Sequence, residues 1–470
     1  MNRSPLRILL LAMVVSLCSF TTTRGMADDD SPQVTSEPTI QAGAAEIDVT
    51  PPAEGTALAM RPARSTGVEE PIFARALVLS DGSTRVAVVT CDYCGFDIPF
   101  NERLRKAIHE ATEIPTTHIM INTSHNHSAP MIGAWAPPNN EGTQPWYDEL
   151  VKKFATVAKQ AAAQVKPCRL RFQREAAQIG INRRLMHQGR IVMAPNPHGS
   201  NLPWTDVLCA EVPGVERIGV LFSYAAHPVI VQRASNKIGG DYPGYAVKRM
   251  QAMARAGGSG GVFMFAQGAG GDINGFPLAG GIRAADTAAR DLSYAVERAM
   301  KSPGHIIQSP RLRVASTELE LPLQEPPSAE QIKKRIAETR DEARRKWLQG
   351  LLALADEQQP ATLRFPISAF ALGNEFCILA LPHETFSYYT LFAESVSPFE
   401  HNMVLGYTNG MNGYIATRRD YLLAASGGYE AAPLGSALNY TTRLAPRPES
   451  QQIIEAGIRK ILEEVSGQTE

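Results

Sequence analysis

Four times in this chain a short apolar run that reads as a buried strand stops at a small cluster of polar residues. The first is Thr117 to Ile121, followed by Asn122-Thr-Ser-His-Asn-His-Ser-Ala-Pro130. The second is Leu221 to Tyr224, running into Ala226-His227-Pro228. The third, Gly261 to Ala266, empties into Gln267-Gly-Ala-Gly-Gly-Asp-Ile-Asn274, and the fourth, Ile378 to Leu381, into Pro382-His-Glu384. Apolar runs of this length bounded by turn signals mark strands buried in a sheet. Loops at the ends of such strands, held by a rigid scaffold, are where functional groups collect.

His125 and His127 stand at the first of these ends. A His-x-His pair leaving a strand aims both imidazoles into one cleft, because side-chain direction repeats every second residue. Imidazole is the commonest metal ligand and the natural acid or base near neutral pH. The chain has only ten histidines in 470 residues, so the pairing calls for an explanation. With His227 and Glu384 from other strand ends, His125 completes two imidazoles and a carboxylate, a plausible catalytic zinc shell with a position open for water. Plainer readings exist for each. His227 can be a satisfied core residue, Glu384 can sit in the first turn of a helix, and His383 competes with Glu384 as a ligand. The glycines at 268–271 resemble a phosphate cradle but lack its lysine and hydroxyl, and serve equally as a tight turn that lets backbone approach. Ser128 has no nucleophile motif around it.

Net charge is -1 and hydrophobic content 44%, an ordinary globular composition without a basic stripe, so nucleic acid is not an expected partner. Arg3 and Arg7 precede the apolar stretch Ile8 to Phe20, which is too short to span a bilayer comfortably. Small residues at Gly25-Met-Ala27 then mark 1–27 as a signal peptide cut near Ala27, with Cys18 after Leu17 a poor lipoprotein signal. The mature chain is expected to be exported, with no transmembrane segment. Beyond the leader the cysteines are Cys91, Cys94, Cys168, Cys209 and Cys377. Cys91-Asp-Tyr-Cys94 has no second C-x-x-C to complete a structural zinc site, and reads as core packing with one disulfide allowed.

Residues 28–41 are acidic and loose in composition. From Ala42 onward, strands and amphipathic helices follow one another without a linker or repeat. Helices are expected over Asn101 to Thr112, Trp146 to Val165, after an Asp241 N-cap, over Arg283 to Met300, over Ser328 to Gln359 and over Ser450 to Val465. The fold class is α/β in the mixed α+β sense: mixed β-sheets flanked by helices in a single large catalytic domain, 42–470.

A set of motifs in order resembles the neutral/alkaline ceramidase family. They are Ala42 to Pro52, Asn122 to Pro130, Gly180-Ile-Asn-Arg183, Ala226-His227, Asp241-Tyr-Pro-Gly-Tyr245, Gln267 to Asn274, Pro382-His-Glu384 and Asn412-Gly-Tyr-Ile-Ala-Thr417. The family's enzymes are zinc amidases that split ceramide into a fatty acid and sphingosine. The resemblance implies Zn2+ held by His125, His227, Glu384 and Tyr414, with Tyr414 as either a ligand or a hydrogen-bonding neighbour. It implies His127 and Tyr429 as catalytic groups, and Arg183, Asp272 and Asn274 in the substrate site. The partner implied is a small N-acyl, lipid-like molecule.

Two departures bear on substrate. Asn274 stands where the family's proposed nucleophilic serine is expected, which favours zinc-activated water. The chain also ends before the family's C-terminal immunoglobulin-like domain. The leading expectation is an exported zinc amidohydrolase acting on ceramide or another N-acyl compound. The alternatives are a lipid- or glycan-binding protein on the same fold, or a metallohydrolase of another ester or amide bond. A binuclear H-x-H-x-D-H site is ruled down by Ser128-Ala-Pro130 after His127.

Overall fold

Alternate residues of the long strands face two different cores. In Phe73–Ser80, Ala74, Ala76 and Val78 face one apolar cluster while Leu77 and Leu79 enter another. Strands buried on both faces need apolar residues on both, which is why these runs lack polar alternation. The computed structural model describes residues 40–467 apart from 60–63, 134–143, 309, 326, 341, 343–344, 346–347, 353–361 and 433–443. The leader expected over 1–27, and nearly all of the loose segment 28–41, lie outside the described residues.

Three mixed sheets form the body. The first runs Ile119–Thr123, Arg85–Cys91, Phe73–Ser80, Gln41–Asp48, Lys166–Pro167. The second runs Val262–Gln267, Glu216–Tyr224, Trp204–Val212, Arg169–Ala176, His305–Ile306. The third runs Leu312–Pro322, Thr362–Leu372, Phe376–Ala380, His401–Leu405. Each is mostly antiparallel and carries one parallel pair at an edge. The outer face of the first packs against helices Ile98–Thr112 and Trp146–Ala163, through Leu104, Ile108, Phe154 and Val157. The second is covered by Asp241–Ala256 and Ile282–Lys301, the third by Ser450–Ser466 and Tyr388–Val396. The inner faces meet in one core that includes Leu79, Met120, Leu221, Met264, Ile378 and Met403. Among the described residues no helix is long and apolar enough to cross a membrane.

Two elements differ from the sequence reading. Asp241 does not cap its helix from outside. It begins the helix in the left-handed region (φ 52), and its carboxylate accepts from Val231 N at 2.8 Å, so it ties the helix start to the loop after His227. The helix expected over Ser328 to Gln359 begins as Ala329–Glu338, with both hydrogen bonds of a Ser328/Gln331 capping box. It breaks at Thr339 and Arg340, and helical residues recur over 342–352 among the described ones, where Leu348 and Leu351 enter the core as Ile332 does; 353–361 lie outside the described residues.

Candidate metal centre and its cleft

The three parallel pairs end beside one another because a buried asparagine ties them together. Asn122, in the edge strand Ile119–Thr123, donates from Nδ2 to Gln267 O at 3.1 Å and to Gly406 O at 2.8 Å. Its Oδ1 accepts from Gln267 N at 2.8 Å. One side chain thus joins the first sheet to the strand ends of the second and third. Ile121 N also donates to Asn409 Oδ1 at 2.9 Å. Buried amides are costly to leave unpaired, and here every bond is made between sheets.

The chain then turns sharply. His125 sits in the left-handed region (φ 61), where a residue with a Cβ is strained by about 1–2 kcal/mol. The turn sends its ring inward, 3.2 Å from Glu384 Oε2 through Nε2. His227 Nε2 lies 2.8 Å from the same oxygen. The ligand atoms of His125, His227 and Glu384 all fall within 4.8 Å of one another, and all three residues are buried.

Both rings have their orientation fixed from behind. His125 Nδ1 donates to Cys94 O at 2.8 Å, and His227 Nδ1 to Gly270 O and Ile273 O at 3.0 Å. With Nδ1–H committed to carbonyls, each Nε2 faces the carboxylate. Burial lowers His125, but Cys94 and then Glu384 raise it to about 10, so the buried carboxylate calls for a positive charge beside it, which a proton on His125 or a bound cation would supply. Burial favours a neutral Glu384, yet His125 and His227 hold its carboxyl well below the usual range. Burial, then Arg183, pushes His227 down to about 4. The donor set therefore fits a divalent cation, with ligand type, orientation and charge all present.

His383 is excluded from the cluster: its Nε2 meets Arg364 O at 2.8 Å and its Nδ1 accepts from Asn412 N at 3.0 Å. Glu384 is held by backbone pairing in a short parallel ladder, Glu384↔Tyr414 and Thr385↔Ile415. The glycine loop serves close approach. A Cβ on Gly271 would lie 2.4 Å from Glu384 O, and Gly271 N donates to Thr385 O at 2.9 Å. The described cysteines are free, and Cys91 packs in the core while Cys94 Sγ lies 3.5 Å from His125 Nδ1.

A cleft of about 400 Å3 opens onto this floor, lined by the polar side chains of His127, Arg183, Gln232, Arg233, Asn274, Tyr414 and Tyr429. Met193, Val229 and Leu278 add apolar surface to its lining. His127 Nε2 is 3.3 Å from His125 Nε2, and burial, then the two neighbouring imidazoles, holds it well below its ordinary pKa. Tyr414 and Tyr429 share a hydrogen bond of 3.0 Å between hydroxyls. Burial raises the Tyr429 phenol, so it stays a neutral donor. Arg183 donates to Glu430 at 3.2 Å and to Asn274 Oδ1 at 3.1 Å, while its buried Nη2 has no hydrogen-bond partner among the described residues. Asp272 lies apart from this wall: its carboxylate accepts from Ser387 N at 2.7 Å and Ser387 Oγ at 2.8 Å, and it lines the neighbouring groove with Arg184 and Phe386.

Sequence reasoning missed Tyr407. Its ring stacks on His125 (centroids 4.6 Å, planes at 30°), and its buried hydroxyl has no hydrogen-bond partner among the described residues. It follows Gly406 at the end of a parallel strand, as the other site residues follow theirs, and that position was its only signal.

A buried cluster with the donors to hold a cation, at the floor of a cleft of mixed polar and apolar lining, suits a hydrolase. The profile of the neutral/alkaline non-lysosomal ceramidase family, N-terminal part, matches residues 40–282, and the chain belongs to that family. Its fold is similar to the crystal structure of a neutral ceramidase from Pseudomonas aeruginosa, with TM-score 0.69 at 18% identity over 92% of this chain and 75% of that one. A ceramidase complexed with C2 is similar at TM-score 0.70 and 17% identity, over 92% of this chain and 76% of the other. No curated protein sequence matches the chain.

Proposed function

We propose that this protein is a zinc-dependent amidase that cleaves the N-acyl bond of a ceramide-like lipid, and that it is exported after removal of residues 1–27. The observation that carries the reading is the convergence of His125, His227 and Glu384 beneath a cleft whose lining mixes polar and apolar side chains. Family membership supports an amide as the scissile bond. Exposed Leu278 and Met193 at the cleft, with Phe276 nearby in sequence, suit a substrate with a hydrocarbon chain.

His125, His227 and Glu384 would hold the zinc, with Tyr414 as fourth ligand or as a hydrogen-bonding neighbour. When bound, zinc would polarise the amide carbonyl and lower the pKa of a water to roughly 7. His127 is neutral near pH 7 because of its burial, so it can take a proton from the attacking water. It then returns that proton to the departing amine nitrogen. Tyr429, kept protonated by burial, donates to the oxygen on which negative charge develops. Arg183, already fixed by Glu430 and Asn274, has its Nη2 left for an oxygen of the substrate. Asn274 offers no nucleophilic hydroxyl, which leaves water to attack.

Metal content and acid release from N-acyl substrates, ceramide included, test this in wild type, His125→Ala and His227→Ala. Both variants are expected to lose the central zinc and the activity. Retention of that zinc by both variants would sink the site, and a zinc-loaded wild type inert on every amide would sink the reaction.

A further inference from the structure

A second histidine pair lies at the opposite ends of the strands that feed the centre. His305 belongs to the edge strand of the second sheet, and His401 opens the parallel strand His401–Leu405 of the third. Their rings meet at 4.5 Å between centroids. His305 Nε2 is 2.6 Å from Glu375 Oε2, and His401 Nε2 is 3.8 Å from Glu400 Oε1. Ligand atoms of His305, Glu400 and His401 all lie within 4.8 Å of one another.

His401 Nε2 is shut off from solvent and has no hydrogen-bond partner among the described residues. A buried nitrogen left in that state costs about 1–3 kcal/mol. Its 3.8 Å distance to Glu400 is too long for a hydrogen bond. It is close to the ~3.3 Å that two donors keep when each sits about 2.0–2.1 Å from a tetrahedral zinc. The frame around the pair is built: His401 N donates to Glu375 O at 3.0 Å, and Phe172 packs against both His401 (5.1 Å) and Phe376 (5.0 Å). Gln308 N donates to Glu375 Oε1 at 3.1 Å from the chain just beyond His305.

We infer that His305, His401 and Glu400 form a second divalent-metal site, of a two-nitrogen, one-oxygen kind that suits Zn2+ with a position left for water, that Glu375 orients the His305 ring, and that the ion staples the second sheet to the third. Neither the central cluster nor the cleft takes part. His305 lies in a two-residue strand paired at Arg171↔Ile306 and Phe172↔His305, with Ile307 N donating to Leu170 O at 3.1 Å just beyond, so the ion would secure a short edge.

The test is zinc stoichiometry of the full-length chain after metal loading and gel filtration, in wild type, His125→Ala and His401→Gln. The expected result is two equivalents in wild type and one in each variant, with His401→Gln keeping its activity. Equal zinc content in wild type and His401→Gln overturns the inference and leaves the central site untouched. A single equivalent that only His125→Ala removes also overturns it. A single equivalent that only His401→Gln removes upholds it and tells against the catalytic reading instead. Because Glu400 is exposed, Glu400→Gln gives a form whose folding is not in question. It is expected to weaken the second equivalent about tenfold, and an unchanged second affinity overturns the site.

Discussion

The strands Phe376–Ala380 and His401–Leu405 lead to metal-type donors at both ends, and the two ends are built on opposite terms. Past their C-terminal ends, Glu384 and the imidazoles around it are shut from solvent, with the rings of His125 and His227 each fixed by a carbonyl behind it. At the N-terminal ends, His305 and His401 keep side-chain exposures of 30% and 25% while Glu400 stands out at 71%. A centre for chemistry needs its donors oriented before substrate arrives, and burial supplies that at the cost of backbone strain at His125. A centre for stability needs only to hold two surfaces together, and mobile carboxylates suffice.

The largest expected effect separates the two ends outright. His125→Ala or His227→Ala is expected to lower kcat/KM by at least about a thousandfold, through loss of the ion that activates water. His401→Gln is expected to leave it unchanged, and steady-state kinetics on one N-acyl substrate decides. Within the buried end, His127→Ala is expected to keep its metal and lose about a hundredfold in kcat, as removal of a proton carrier does. Loss of metal from His127→Ala would place that ring among the ligands. Asn122→Ala is expected to cost about 2–4 kcal/mol in urea unfolding, because it strands buried groups on two other sheets. The smallest effect concerns the exposed end. Saturating zinc is expected to raise the melting temperature of wild type by a few degrees above His401→Gln, and a brief chelator treatment is expected to erase that difference before activity falls.

Much of the centre was legible because its donors follow apolar runs whose length and flanks announce strands. His125, His127, His227 and Glu384 each stand within a few residues of such an end. What the pattern could not convey was partnership across the chain. Asn122 looks like any loop asparagine until its partner Gly406, separated from it by 284 positions, is beside it. The sequence already favoured Glu384, but His383 drops out as its competitor because Arg364 O and Asn412 N take its two ring nitrogens, partners invisible to composition. Asp272 sits two residues from Asn274 yet faces another groove, because it lies in the turn before the strand Ile273–Gly275 and so escapes the strand's two-residue period. The helix expected over Ser328 to Gln359 is interrupted at Thr339 and Arg340, a break that its charge and helix propensity did not announce, while Ile332, Leu348 and Leu351 supply the apolar anchors on either side.

The junction at Asn122 also sets when the protein becomes competent. Its bonds, and the donors beyond it, come from three sheets that are far apart in the chain, so no fragment and no half-docked intermediate can assemble the floor of the cleft. During refolding, compaction and secondary structure would then return ahead of metal capture, and catalysis would appear last. In that sense a bound ion would be a receipt for finished folding: a chain that held it would have closed all three seams.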